Sequence, residues 1–166
     1  MSRPLAVFVG SSSEALRIAR TVKTLLKDTA TVKLWNQPGI FRLSNATLES
    51  LDVAVTAFDF GVFVFSSDDD VTSRHKRFKG TRDNVLFELG LFMGRLGRDR
   101  TFVVSEDKKK LKILSDFLGV GTARYEPNGR AFHRTIRAAC VKIRREMADR
   151  GQRRGTSMKT IEYGID

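Results

Sequence analysis

Among the acidic residues of this 166-residue chain, Glu88 has the least expected setting, between Phe87 and Leu89 in RDNVLFELGLF (82–92). Ionised side chains are rarely buried without a partner, so a carboxylate in so apolar a stretch needs a reason. On a helix beginning near Thr81, residues 81, 84, 88 and 91 share a face, which groups Glu88 with Thr81 and Asn84. The pattern admits two readings. Glu88 pairs with a buried arginine or caps a neighbouring loop, or it lies on the floor of a cleft with its pKa tuned by partial burial. In the second case its chemistry is restricted. Hydrolysis of an ordinary O-glycoside takes two carboxylates, because the leaving alcohol is protonated while the oxocarbenium ion is stabilised. A pyridinium leaving group, such as that of NAD, departs neutral and needs no acid. One carboxylate that holds the ribose hydroxyls and faces the developing positive charge is then sufficient.

Other side chains can join it. Gly10-Ser11-Ser12-Ser13 separates an apolar run from a helical pattern, and its N–H groups and hydroxyls can receive a phosphate or a ribose. Ser11 and Glu14 also form the S-x-x-E signature of a helix start, so capping and ligand contact both remain open. Neither the dinucleotide fingerprint G-x-G-x-x-G nor a P-loop is present. Trp35, the only tryptophan, ends a strand-like run, and Phe41 follows shortly after. Such rings stack on nicotinamide or adenine, or simply close a core. SSDDD (66–70) lacks the spacing and glycine of a calcium loop and reads as a solvated acidic segment. His75 and His133 have no metal-spaced partner, and no metal is expected. The single cysteine, Cys140, falls on an apolar helical stripe and reads as core.

These residues need a frame, and the chain alternates to supply one. Strand-type runs occupy 5–9, 31–35, 60–65, 100–104 and 120–125, and helical spacing occupies 15–27, 44–56, 81–96 and 129–150. Residues 66–80 read as a long polar loop, SEDKKK (105–110) as a solvated one, and 151–166 as a linker or frayed tail after one domain of residues 1–150. Strands alternating with helices predict an α/β fold, a parallel sheet covered on both faces. The short strands and right-handed crossovers favour the flavodoxin-like order 2-1-3-4-5. Ligands of such sheets bind beyond the carboxyl ends of the strands, where the strand order reverses. That place collects the loops after the first three strands, and with them Ser11, Ser12, Trp35, Phe41 and the start of the Glu88 helix.

Composition narrows the setting. Thirty Lys+Arg against nineteen Asp+Glu give a net charge of +11, a surface that draws polyanions, anionic membranes or phosphate-bearing molecules. The basic set from Arg130 to Arg154 reads as the wet face of the last helix, and without interleaved aromatics nucleic acid is not expected as a partner. No apolar run reaches the length of a membrane helix, the chain opens directly on a strand rather than a signal peptide, and a lone cysteine fits a reducing compartment. A cytoplasmic protein without a membrane partner is expected.

At VFVGSSSE (7–14), Trp35 with Phe41, SLDVAVTAFDFGVFVFSSDD (50–69) and above all TRDNVLFELGLFMGRLG (81–97), the chain resembles the bacterial TIR-like domains. These are Toll/interleukin-1 receptor homologues that serve as effectors in anti-phage signalling, including those fused to STING-type sensors. The likeness runs from about Leu5 to Met147. It implies the flavodoxin-like TIR fold and an NAD+ glycohydrolase, with NAD+ as substrate and no separate cofactor. By the same resemblance Glu88 is the catalytic carboxylate, and Ser11, Ser12, Trp35, Phe41, Arg82, Asp83 and Asn84 line the pocket. Loop 36–44 corresponds to the BB loop, which implies self-association that completes the site, and a fused or separate cyclic-nucleotide sensor is implied as the trigger. The family often has proline before R-D-N, where this chain has Thr81. Two other readings stand beside this one: a nucleoside deoxyribosyltransferase-like enzyme, and a non-catalytic TIR scaffold.

Overall fold

The computed structural model of the protein describes residues 3–38, 52, 54–67, 69–73, 76–80, 83–106 and 121–153. Most of the expected 44–56 helix, Phe41, Thr81, Arg82 and the tail after Arg153 lie outside the described residues. Five parallel strands form one sheet: β1 (Leu5–Ser11), β2 (Ala30–Leu34), β3 (Phe60–Phe65), β6 (Thr101–Glu106) and β7 (Gly121–Tyr125), in the order β2-β1-β3-β6-β7. Counting only these strands, the order is the expected 2-1-3-4-5. The central strand β3, FGVFVF, is buried along its whole length, because both faces of the sheet are covered and no residue of it can meet water.

The helices divide between the two faces. Helix α1 (Leu16–Leu26) and the long helix α3 (Ala131–Arg150) share one core with Val7, Val9, Val62, Val64 and Val104. Cys140 lies in that core, and burial pushes its thiol up to about 12. Helix α2 (Asp83–Leu96) covers the other face, where Phe8, Phe58, Phe63 and Phe92 pack together. Phe92 stacks on Phe8 at 4.8 Å and meets Phe63 edge-on at 5.3 Å, which nails α2 to the two central strands.

The amino edge of the sheet is tied by one fully buried carboxylate. Asp59 receives both guanidinium arms of Arg3 (2.7 and 2.8 Å), the N–H of Ala6 (2.9 Å) and the N–H of Arg153 (2.7 Å). Burial opposes its ionisation, but the Arg3 hydrogen bond, the two N–H donors and the Arg3 charge together hold its pKa below the ordinary value. Arg100 stands nearby with its guanidinium over the Phe60 ring and donates to the carbonyls of Arg150 and Gly151 (3.2 and 2.9 Å), capping the C-terminus of α3.

Two expectations are corrected. Residues 66–80 are not an unstructured loop: they hold an antiparallel ribbon of β4 (Asp69–Ser73) and β5 (Lys76–Gly80), with Val71 opposite Phe78. SEDKKK is not solvated from its start, since Ser105 and Glu106 complete β6 and are buried. A chain with a well-buried central strand keeps its neighbour buried to the end, and Glu106 Oε2 is satisfied there by the N–H and hydroxyl of Ser67 (3.1 and 3.0 Å).

Candidate active site

At the carboxyl edge of β1 the chain must stop being strand without opening the core. Ser11 is the last residue of β1 and Ser12 leads toward α1; each is only 5% exposed. The helix starts later than S-x-x-E suggests, at Leu16 after an Ala15 N-cap that makes no side-chain hydrogen bond, and Ser12 Oγ takes the N–H of Ala15 (3.2 Å) in the turn that leads into it. Ser11 is thereby free for another task. Its hydroxyl donates to the Ser12 carbonyl (3.0 Å) and accepts the indole N–H of Trp35 (2.8 Å). Trp35 follows β2 directly and its own N–H continues the ladder to the Val9 carbonyl (3.0 Å). The indole is thus fixed in place at the rim, half-buried against the α2-side core.

Glu88 reaches the same edge from α2. Gly10 leaves room for it: a Cβ built there would stand 3.1 Å from Glu88 Oε2 and 2.8 Å from two ring carbons of Phe63. Burial pushes the Glu88 carboxyl up to about 7, because the charged form loses water and gains no compensating donor. Among the described residues no hydrogen bond or ion pair holds the carboxylate. The buried-arginine pairing left open by the sequence is therefore absent among them. A carboxyl raised this far by burial at the strand edge is a candidate for acid–base or electrostatic chemistry.

The structure brings Ser11, Ser12, Trp35 and Glu88 together around the end of β1. Asp83 opens α2 and Asn84 is exposed on its first turn, on the carboxyl side of the sheet. Phe41 and Arg82 lie outside the described residues. Two participants escaped the sequence reading. Gly10 carries no chemistry of its own, and only the three-dimensional approach of Glu88 reveals its role. Asn36 Oδ1, beside Trp35, is buried with no hydrogen-bond partner among the described residues, and nothing in a turn sequence foretells that. Among the described residues no group of three or more His, Cys, Asp or Glu is gathered as a metal site.

All of these elements fall inside one family match. The family model described as "CAP12/Pycsar effector protein, TIR domain" covers residues 6–127. The chain belongs to this family. Similar curated proteins include CD-NTase-associated protein 12 of Lachnospiraceae bacterium (strain RUG226), 46% identical over 120 residues, which are 72% of this chain and 37% of that protein. The Pycsar effector protein PaPycTIR of Pseudomonas aeruginosa is 44% identical over 120 residues, 72% of this chain and 39% of that protein. The chain therefore matches well under half the length of these relatives. Solved structures give the fold alone. The flavodoxin-like domain of a Synechococcus sp. protein aligns with a TM-score of 0.51 at 10% identity, over 87% of this chain and 99% of that one. The Flv1 flavodiiron core of Synechocystis sp. PCC6803 gives 0.54 at 8% identity, over 89% of this chain and 37% of that one. The TIR resemblance and the flavodoxin-like strand order read from the sequence both hold. No described helix is long and apolar enough to cross a membrane.

Proposed function

We propose that this TIR domain is an NAD+ glycohydrolase, the effector of a bacterial anti-phage system, switched on by oligomeric assembly. The observation that carries the reading is Glu88: a single carboxylate, unpaired among the described residues and raised to about 7 by burial, beside Gly10 at the strand edge. Membership of the CAP12/Pycsar TIR family supports it, as do the relatives named as CD-NTase-associated and Pycsar effector proteins. The signal that triggers assembly is then a cyclic nucleotide, sensed by a fused or separate partner. Self-association through loop 36–44 belongs to the same proposal.

The chemistry follows from the charge balance. The bond between ribose C1′ and the nicotinamide nitrogen breaks, and its electron pair leaves with nicotinamide, which departs neutral. Positive charge passes to the ribose ring, where an ionised Glu88 stabilises it and accepts hydrogen bonds from the ribose hydroxyls. A water oxygen then bonds to C1′ and loses its proton to solvent, giving ADP-ribose. In the apolar wall around Glu88 this charge–charge attraction is stronger than in water. Trp35 offers an indole plane, locked by Ser11, against which a nicotinamide or adenine ring can stack.

The experiment is nicotinamide release from NAD+ by concentrated protein under assembling conditions, compared with Glu88→Gln checked for folding by circular dichroism. Wild-type release that rises with pH through about 7, as Glu88 ionises, and is lost in Glu88→Gln is expected. No release by wild type in any assembled form ends the NADase reading. Release that survives Glu88→Gln ends only the assignment of the carboxylate.

A further inference from the structure

Helix α2 meets β1 and β3 across a two-by-two pattern of glycines and phenylalanines. Phe8 pairs in register with Gly61, and Gly10 with Phe63. Residues two apart on a strand share a face, so the four form a checkerboard with the glycines on one diagonal. Both glycines face α2. A Cβ on Gly61 would stand 2.6 Å from a ring carbon of Phe92 and 2.9 Å from one of Phe63, and a Cβ on Gly10 would stand 2.8 Å from the Phe63 ring and 3.1 Å from Glu88 Oε2. Glu88 and Phe92 are one helical turn apart, on one stripe of α2. One turn of helix thus rests in two holes, one per strand.

Neither glycine is required by its backbone, since neither has a positive φ. Glycine in a strand interior weakens it unless something must approach closely. Here the approaching groups are an aromatic ring and a carboxylate. We propose that Gly10 and Gly61 are positioning residues that set the depth of α2 on the sheet, and with it the place of the Glu88 carboxylate. The inference rests on the reading of Glu88 as the catalytic group only for its effect on turnover; the geometric claim stands apart from it. Glu88 Oε2 and the Phe63 ring both border the space that a Gly10 Cβ would fill, and no charged or titratable side chain among the described residues pairs with Glu88. The depth of the helix is therefore the quantity that decides how much water reaches the carboxylate.

The test follows the Glu88 carboxyl by carbon NMR through a pH titration, in wild type, Gly10→Ala, Gly61→Ala and Gly61→Ala/Phe92→Leu. The wild-type midpoint is expected at about 7. Each single alanine variant lifts the carboxylate toward water and lowers the midpoint by about one pH unit or more. Gly61→Ala does so without touching Glu88, through Phe92, and Phe92→Leu returns the midpoint toward that of wild type. In the NAD+ assay the single variants lose about tenfold or more in kcat with KM little changed. Where one of the two single variants does not fold, the other carries the titration; where neither folds, Phe92→Leu alone, which lets α2 settle closer to the sheet, is expected to raise the midpoint, and an unmoved midpoint overturns the proposal. A folded Gly10→Ala or Gly61→Ala whose Glu88 midpoint stays near 7 overturns the proposal, however much its melting temperature falls. The titration decides this even if wild type cleaves no NAD+, so the two readings fail separately.

Discussion

Glu88 sets a conflict between stability and chemistry that a titration of folding can expose. Its carboxyl sits at about 7 in the fold against an ordinary 4.5. Below pH 4.5 it is protonated whether the chain is folded or not, and it contributes nothing to the pH dependence. Between 4.5 and 7 the unfolded chain releases the proton first, so stability falls as pH rises. Above 7 the penalty is complete, at about 3 kcal/mol. Glu88→Gln removes the charge and keeps the shape. The variant should therefore match wild type at pH 4 and exceed it at pH 8, by up to that amount, in urea unfolding followed by circular dichroism. Equal destabilisation at both pH values would mean that the carboxylate makes contacts the fold needs.

At the scale of elements, the junction of β1, β2 and α1 is organised by two serines and an indole. Because Trp35 is the only tryptophan, its emission reports on this junction alone. Ser11→Ala leaves the indole N–H without its acceptor and should cost about 1–2 kcal/mol, shift the emission, and weaken its quenching by NAD+. Unchanged quenching in a folded Ser11→Ala would separate Trp35 from the ligand. Sequence alone went a long way here. Hydrophobic runs such as FGVFVF and the helical spacing around Glu88 located the five sheet strands and their order, because burial on both faces writes itself into composition. The site's main side chains were legible for the same reason: a charge in an apolar run and a lone tryptophan are visible exceptions. The β4–β5 ribbon was not, since DDVTSRHKRFKG has only Val71 and Phe78 as apolar residues and their pairing is a matter of register, not of period. The helix starts at Leu16 rather than directly after Ser11, because Ser11 ends β1 holding the indole and Ser12 closes a turn onto Ala15 before the helix begins. Gly10 and Glu106 became visible only in the fold. Gly10 acts through the absence of a side chain, and Glu106 stands in a run whose lysines disguise the end of a buried strand.

The whole molecule is asymmetric from edge to edge. The carboxyl edge carries the candidate site, whereas the amino edge is knotted around Asp59 by Arg3, Ala6 and Arg153. Removing that carboxylate strands the Arg3 guanidinium and the N–H groups of Ala6 and Arg153 at once. Asp59→Ala should cost about 3 kcal/mol or more, measured as loss of the denaturation midpoint. In wild type the contribution of Asp59 has the opposite pH sense to that of Glu88: with a depressed folded pKa, it is present above the ordinary carboxylate range and is lost as pH falls through the folded value. A midpoint for Asp59→Ala equal to wild type at pH 7 would show the knot to be ornamental. The knot also touches α2, since the Arg153 guanidinium donates to the Arg95 carbonyl in the last turn of that helix (3.3 Å). Arg3, just before β1, and Arg153, just after α3, hold the same carboxylate, and Gln152 donates to the Arg3 carbonyl. The segment before β1 and the segment after α3 are thereby pinned to each other at the amino edge, and whatever loosens Asp59 frays both at once.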